Sequence, residues 1–318
     1  MNPAPDAPAH ILVVRLSAMG DIVHTLPAVA TLRQSFPRAR ITWAVKPRWA
    51  ALLKDNPYID RVLPVDFPSW NFRSERFDLA IDFQGLLKSA LVAFASRPGR
   101  IVGFHWELLR EKAAGLFYSE RVRSGAAHIV DRNLDLAAAA GARNRVVEFP
   151  LPAFPAEGEL PDSGFVLASP FAGWKAKQWP AAYYTRLAAL LRIPLVINCS
   201  PAERQEAEQI RGCTINVSST EGLIGITRRA RAVVGVDSGP LHLAAALGKP
   251  GVALFGPTDP ARNGPYGNSF TVLRAPGAAT SYRRSGGIAS SMRAIDPEQV
   301  YDALQAQLSK NSVLEAVR

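Results

Sequence analysis

Cysteine is scarce: Cys199 and Cys213 are the only two in 318 residues. That excludes a disulfide framework, and neither thiol stands in metal-ligand spacing with a histidine, so a reducing compartment is expected. Long apolar runs are missing as well. The run Ile11 to Leu16 is too short for a signal sequence or a membrane span, and Met1 to His10 offers Pro and Ala without a basic n-region. These features predict a cytoplasmic protein. There is no Asp-x-Asp element for a divalent ion, and no nucleic-acid motif, aromatic repeat or basic tail. Sequence-specific DNA or RNA binding is therefore set aside, although the net charge is +10 from 37 basic and 27 acidic residues. The scattered basic residues point instead to an acidic partner, such as a phospholipid or a phosphorylated glycolipid.

What is present is core-forming material. A hydrophobic content of 48% and a length of 318 residues fit two domains of about 150 residues. Phe149 to Ser163 holds four prolines and little periodicity, the composition of a semi-rigid connection. The expected division is 1–152, linker 149–163, and 163–318, with a closing amphipathic helix 297–308 that is expected to pack back on the N-terminal domain.

Apolar strands alternate with turns and helices throughout. His10 to Ser17 reads as a strand, Ser17-Ala-Met-Gly-Asp21 as its turn, and Ile22 to Phe36 as a helix interrupted or kinked at Pro27. Ile41 to Val45 and Arg61 to Val65 read as strands with a helix at Pro47 to Leu53 between them, and Leu79 to Phe83 as another strand before Gln84-Gly-Leu-Leu-Lys88. After the linker, Phe165 to Ser169 restarts the pattern, followed by the loop Ala172 to Pro180 and the helix Ala181 to Leu191. Leu195 to Asn198 is a strand, Ala202 to Ile210 a helix, and Leu223 to Ala230 a helix beginning at Ser219. Arg262 to Arg293, with five arginines and no acid between, reads as a loop exposed to an acidic partner.

The chain is organised around Ala232 to Asp259. Val233 to Val236 and Val252 to Phe255 read as buried strands joined by the turn Asp237-Ser-Gly-Pro240 and a helix from Leu241 to Leu247. Pro240 suits a first helical position and Gly248 a C′ position of positive φ. Ser and Gly at a helix N-terminus gather unpaired N–H groups and the positive dipole end, which favour a phosphate. The Asp237 carboxylate would oppose one, so it is assigned to sugar hydroxyls or backbone N–H groups. Asp21 has two readings at this level: an N-cap, or an acid exposed at a strand's carboxyl edge where ligands of such sheets bind.

Val236-Asp-Ser-Gly-Pro-Leu-His-Leu243 and Phe255-Gly-Pro-Thr-Asp-Pro260, with Ser17-Ala-Met-Gly-Asp21 and Lys177-Gln-Trp-Pro180 at the right distances, resemble the ADP-heptose:lipopolysaccharide heptosyltransferase family over nearly the whole chain. The resemblance implies an α/β protein of two Rossmann-like domains facing a cleft, the GT-B glycosyltransferase arrangement, acceptor on the first and nucleotide sugar on the second. It implies Asp21 as the general base of an inverting transfer, with Arg15, Met19, Gly20, Gln84, Lys88, Arg110 and Arg132 on the acceptor side. Lys177, Glu221, Asp237, Ser238, Gly239, Pro240 and His242 would hold the donor, Lys177 facing the diphosphate and Glu221 the ribose. The implied partners are ADP-heptose as co-substrate and an anionic Kdo-lipid A type acceptor, with peripheral contact at the cytoplasmic face of the inner membrane. No cofactor or essential divalent metal is expected.

One departure stands out: between Val65 and Phe77 the chain is shorter and less basic than the family's first-step members, which leaves the acceptor open. Alternatives are a transferase using another nucleotide sugar, and a non-catalytic binding module on the same fold.

Overall fold

The computed structural model describes residues 7–66, 75–281 and 286–316, and the chain divides into two units, Met1–Pro152 and Ala153–Arg318. Most of the short 66–76 segment, along with Arg283 and Arg284, lies outside the described residues.

In the first unit the apolar stretch at the start becomes β1 (His10–Val14), with Ile11 to Val14 wholly buried. A strand covered on both faces is what a central position in a parallel sheet demands. The helix expected over Ile22 to Phe36 is two, α1 (Met19–Val23) and α2 (Leu26–Ser35), with Pro27 in the first turn of the second. There its missing N–H costs no helical bond, so the chain restarts rather than kinks. Then come β2 (Arg40–Val45), β3 (Arg61–Pro64), β4 (Leu79–Asp82), α3 (Leu87–Ala95), β5 (Arg100–Phe104), β6 (Glu120–Val122) and α4 (Ile129–Ala139). Pro47–Leu53 is a 3-10 segment, not the α-helix expected.

All strand pairs in this sheet are parallel, in the order β3-β2-β1-β4-β5-β6. The chain turns from one half of the sheet to the other between β1 and β4. Ligands of open parallel sheets bind at that switch, beyond the carboxyl ends of the strands.

The second unit repeats the plan with β7 (Val166–Ser169), α5 (Ala181–Leu190), β8 (Leu195–Cys199), α6 (Arg204–Ala207), β9 (Thr214–Val217), α7 (Thr220–Arg229), β10 (Ala232–Val236), α8 (Gly239–Ala246), β11 (Gly251–Phe255), α9 (Pro260–Asn263), β12 (Phe270–Arg274), α10 (Ser290–Arg293) and α11 (Pro297–Ala316). Its parallel order β12-β11-β10-β7-β8-β9 puts the switch between β7 and β10. Gly248 closes α8 at φ +68°, a conformation that leaves a side chain strained and a glycine not.

One expectation is corrected here. The basic stretch Arg262 to Arg293 is not one exposed loop: β12 adds to the sheet edge, and Arg274 donates through Nε to the Gly256 carbonyl at 3.3 Å and through Nη2 to the Thr280 hydroxyl at 2.9 Å. The closing helix α11 packs on α5 and on β10, β11 and β12 of its own unit. Val300 and Leu304 bury into that core, so the helix is held where its apolar stripe is covered.

Candidate functional site

In the first unit the turn after β1 brings Arg15 and Asp21 together. The Arg15 Nη2 lies 2.7 Å from Asp21 Oδ1, and its Nη1 donates to the carbonyl of Phe83, just past β4. The two partners differ in exposure: the arginine side chain is 6% accessible and the aspartate 47%. Asp21 is not the N-cap. Ala18 holds that place, and Asp21, in the third helical position, accepts from the Ala18 N–H with Oδ2 at 3.2 Å. Both carboxylate oxygens thus have donors, while the group still faces solvent at the carboxyl edge of β1.

The turn itself is held from β4. Gln84 Oε1 accepts from the N–H groups of Leu16 at 2.7 Å and Ser17 at 3.1 Å, so this oxygen is spent on the backbone leading to Asp21. Gln84 is in turn fixed by Asp82, which the sequence reading passed over. The wholly buried Asp82 carboxylate accepts from the N–H groups of Gln84 at 2.8 Å and Gly85 at 3.2 Å, from Ser89 Oγ at 2.8 Å and from the Tyr118 hydroxyl at 2.7 Å. Burial pushes its carboxyl up, against the pull of those four donors. Burial and the neighbouring Asp82 charge drive the Tyr118 phenol far above its usual value, so it stays a donor. Tyr118 reaches the site only because Gly103 lacks a side chain; a Cβ there would come within 2.3 Å of the ring. An acid closing an otherwise apolar strand, as in Leu79-Ala-Ile-Asp82, was the available signal.

Met19 and Gly20 are buried in the first turn of α1. Lys88 is exposed on the opening turn of α3, and Arg110 is exposed in the connection between β5 and β6. Arg132, on α4, donates its Nε to the Ala126 carbonyl at 2.8 Å and so supports the loop before that helix.

In the second unit the site begins with an anchor. Trp179 is buried, donates its Nε1 to the Ile295 carbonyl at 2.9 Å, and meets Tyr184 edge to face. Pro180 then caps α5. Truncating such a tryptophan to alanine costs about 3–5 kcal/mol, which explains why a loop bearing Lys177 stays placed. Lys177 Nζ lies 2.7 Å from Asp237 Oδ2, at the end of β10, 3.4 Å from the Asp237 carbonyl, and 4.7 Å from the ring centroid of Trp174. Two of its three N–H groups are therefore directed at Asp237.

Exposure here is reversed: the acid is 5% accessible and the lysine 17%. His242 Nε2 stands 3.4 Å from the other Asp237 oxygen. The two Asp237 oxygens thus face Lys177 and His242. Burial alone would raise the Asp237 carboxyl; the His242 hydrogen bond and the Lys177 charge more than reverse that and hold it well below the usual carboxylate range.

Ser238 is the N-cap of α8, with Gly239 and Pro240 as the first helical residues, yet its side chain caps nothing and its Oγ is buried with no partner. Thr258, past β11 at the same sheet edge, likewise has a buried Oγ1 with no partner. Idle buried hydroxyls beside a helix N-terminus are suited to an anion. The sequence reading quoted Thr258 but assigned it nothing. Glu221 sits in the first turn of α7, after the edge strand β9. Two strand spacings, about 10 Å, separate β9 from β7. Among the described residues no group of three or more His, Cys, Asp or Glu could hold a metal ion.

The glycosyltransferase family 9 (heptosyltransferase) model matches residues 70–286. Lipopolysaccharide heptosyltransferase 1 of Pseudomonas aeruginosa is 31% identical, over 83% of this chain and 83% of that protein. Its counterpart from Escherichia coli K12 is 30% identical, over 84% of this chain and 93% of that one. Among solved structures, E. coli heptosyltransferase WaaC with ADP superposes with a TM-score of 0.76 at 26% identity, covering 94% of this chain and 99% of WaaC.

Proposed function

The chain belongs to glycosyltransferase family 9, the heptosyltransferases, and from that premise we propose that it moves heptose from ADP-heptose to an anionic lipopolysaccharide inner-core acceptor, of Kdo or heptose type, with inversion at the anomeric carbon. The fold is that of the solved heptosyltransferases, two parallel-sheet Rossmann-like units of GT-B type. The relatives named lipopolysaccharide heptosyltransferase 1 favour the first-step acceptor.

One observation carries the division of labour. Each unit places a cation–carboxylate pair at its switch point, and the more accessible partner is the acid in the first unit and the cation in the second. An accessible carboxylate steadied by a buried guanidinium suits a base. An accessible ammonium backed by a buried carboxylate suits a phosphate.

Asp21 takes the proton of the acceptor hydroxyl as that oxygen attacks the anomeric carbon of heptose. The new carbon–oxygen bond forms while the bond to the diphosphate oxygen breaks, and the electron pair leaves with ADP. Lys177, the Ser238 hydroxyl and the N–H groups opening α8 offset the charge gathering on the diphosphate, so this reading needs no divalent ion. Glu221 bonds the ribose. Arg15 positions the base, and Gln84 positions the turn that bears it. The reaction belongs at the cytoplasmic face of the inner membrane, where a lipid-linked acceptor is reached; no helix among the described residues is long and apolar enough to cross a membrane.

The test is a donor screen. Purified protein, a delipidated Kdo-bearing acceptor and a panel of ADP-, UDP- and GDP-sugars are combined, and nucleoside diphosphate release is followed. Acceptor-dependent release from ADP-heptose is expected. Release of UDP or GDP at a comparable rate, or none from any donor, would sink the proposal.

A further inference from the structure

The first unit carries an apolar face that its own core does not cover. On α3, Leu87, Leu91 and Phe94 share one side at helical spacing, while Ser89, Ala90 and Ala93 are buried on the other. The 3-10 segment Lys112–Phe117 packs beside α3, with Phe117 edge to face against Phe94 at a centroid distance of 5.5 Å. Leu116 is 79% exposed and Phe94 57%. Trp106 adjoins Gly115 and lies under the Arg121 guanidinium, 5.0 Å from its ring centroid. Of six large apolar side chains exposed among the described residues, four, Leu87, Phe94, Trp106 and Leu116, belong to this one face. Single exposed leucines are ordinary; a contiguous group of this kind marks a contact surface.

Its rim decides the partner. Lys88, Arg97, Arg110 and Lys112 are all exposed in the same segments. The nearby acids are engaged: Glu107 pairs with Arg123 and His105, and Glu111 accepts from the Leu87 N–H at 2.8 Å. A second copy of this chain would bring those cations against their own equivalents in a two-fold contact. An anionic bilayer meets every part of the face: leucine and phenylalanine enter the acyl boundary, tryptophan sits at headgroup level, and the cations meet lipid phosphates.

We infer that α3 and the Lys112–Phe117 segment form the surface by which this protein docks on an anionic phospholipid membrane. The inference rests on the proposed function only for its purpose. Because α3 starts at the sheet edge that carries Gln84 and Asp21, docking there sets the base beside a lipid-linked acceptor.

Co-sedimentation with acceptor-free vesicles tests this, using equimolar phosphatidylcholine and phosphatidylglycerol against phosphatidylcholine alone. The parent should bind the anionic vesicles, less so as salt rises, and bind the neutral ones weakly. Leu116→Glu, at a side chain almost free of packing, should lower anionic binding about tenfold or more, with ADP release on a delipidated acceptor unchanged. Lys112→Glu reverses a rim charge without touching the apolar face; it should weaken binding to anionic vesicles and leave neutral vesicles unaffected. Parent protein that stays in the supernatant, or anionic binding unchanged in both variants, overturns the inference. So does a dimer in sedimentation equilibrium that Leu116→Glu dissolves while vesicle binding persists, since the face would then seat a second copy. Loss of transfer with vesicle binding intact would count against the proposed function alone.

Discussion

The Arg15–Asp21 and Lys177–Asp237 pairs occupy equivalent places, each beyond the carboxyl ends of the strands where the chain crosses from one half of its sheet to the other. Their separations are the same, 2.7 Å, and their burial is inverted. In the first unit the cation is sunk and the acid is presented; in the second the acid is sunk and the cation is presented. A buried charge without its partner is costly, so the hidden member fixes the visible one. On the proposed function the same fold offers a base in one half and an anion site in the other, and the choice rests on which charge the chain buries.

The sharpest way to break this comparison is Asp21→Asn. General-base assistance is worth about 10²–10⁴-fold, so turnover should fall by that much while ADP affinity holds. Stability should fall too, because Asp21 serves Arg15 and the Ala18 N–H with different oxygens and asparagine has one acceptor for the two. About 1–2 kcal/mol is expected in a denaturant melt. Turnover within threefold of the parent would remove Asp21 from the base role.

Lys177→Ala attacks the other pair. A charge-assisted contact to the diphosphate is worth about 1.5–3 kcal/mol, so the ADP-heptose dissociation constant should rise about ten- to a hundredfold, with acceptor binding little changed. The same variant has a pH signature. A carboxyl held below its usual value adds stability above its unfolded pKa of about 3.9, and that stability drains as pH falls below this toward the folded value. Asp237 is such a group. Without Lys177 its depression is smaller, so the acid-unfolding midpoint should move to higher pH; an unmoved midpoint would mean that His242 alone sustains it.

Arg15→Lys keeps the charge and loses the fork that joins Asp21 to the Phe83 carbonyl. Turnover should drop about tenfold with the donor constant unchanged, as expected of a residue that orients the base and does not bind nucleotide. An equal loss in donor affinity would show that the first unit's pair also serves the nucleotide.

The smallest effect is expected from Tyr118→Phe, which removes one of four donors to buried Asp82. A loss of about 1–2 kcal/mol in stability and a few-fold loss in turnover would fit a network that steadies Gln84 and through it the Asp21 turn. Full activity at unchanged stability would detach Asp82 from the site.

Much of this molecule is written locally. The alternation of apolar runs with Gly- and Ser-bearing turns announces parallel α/β units, because strands buried on both faces must be apolar from end to end, as Ile11 to Val14 and Ala232 to Val236 are. Edge strands carry no such mark. β6 reads Glu-Arg-Val and is barely buried, and β12 lies within a stretch rich in Arg, Gly and Ser, so both were illegible until neighbours supplied their hydrogen bonds. Asp21, Lys177 and Asp237 could be picked out by motif, at the ends of strands where turns expose them.

What no local pattern held was the pairing and the depth. Lys177 meets Asp237 across 60 residues of chain, and Tyr118 reaches Asp82 across 36. Whether Asp21 or Arg15 faces water depends on how the turn after β1 settles against Phe83 and Gln84, residues of the turn beyond β4. The sequence by itself determined the two sheets and the kinds of charge placed at their carboxyl edges, since strand, turn and cap preferences act over a few residues. Only the tertiary structure decided which charge of each pair is hidden, because burial is a property of everything packed around a group, and on the proposed function that choice separates a base from an anion site.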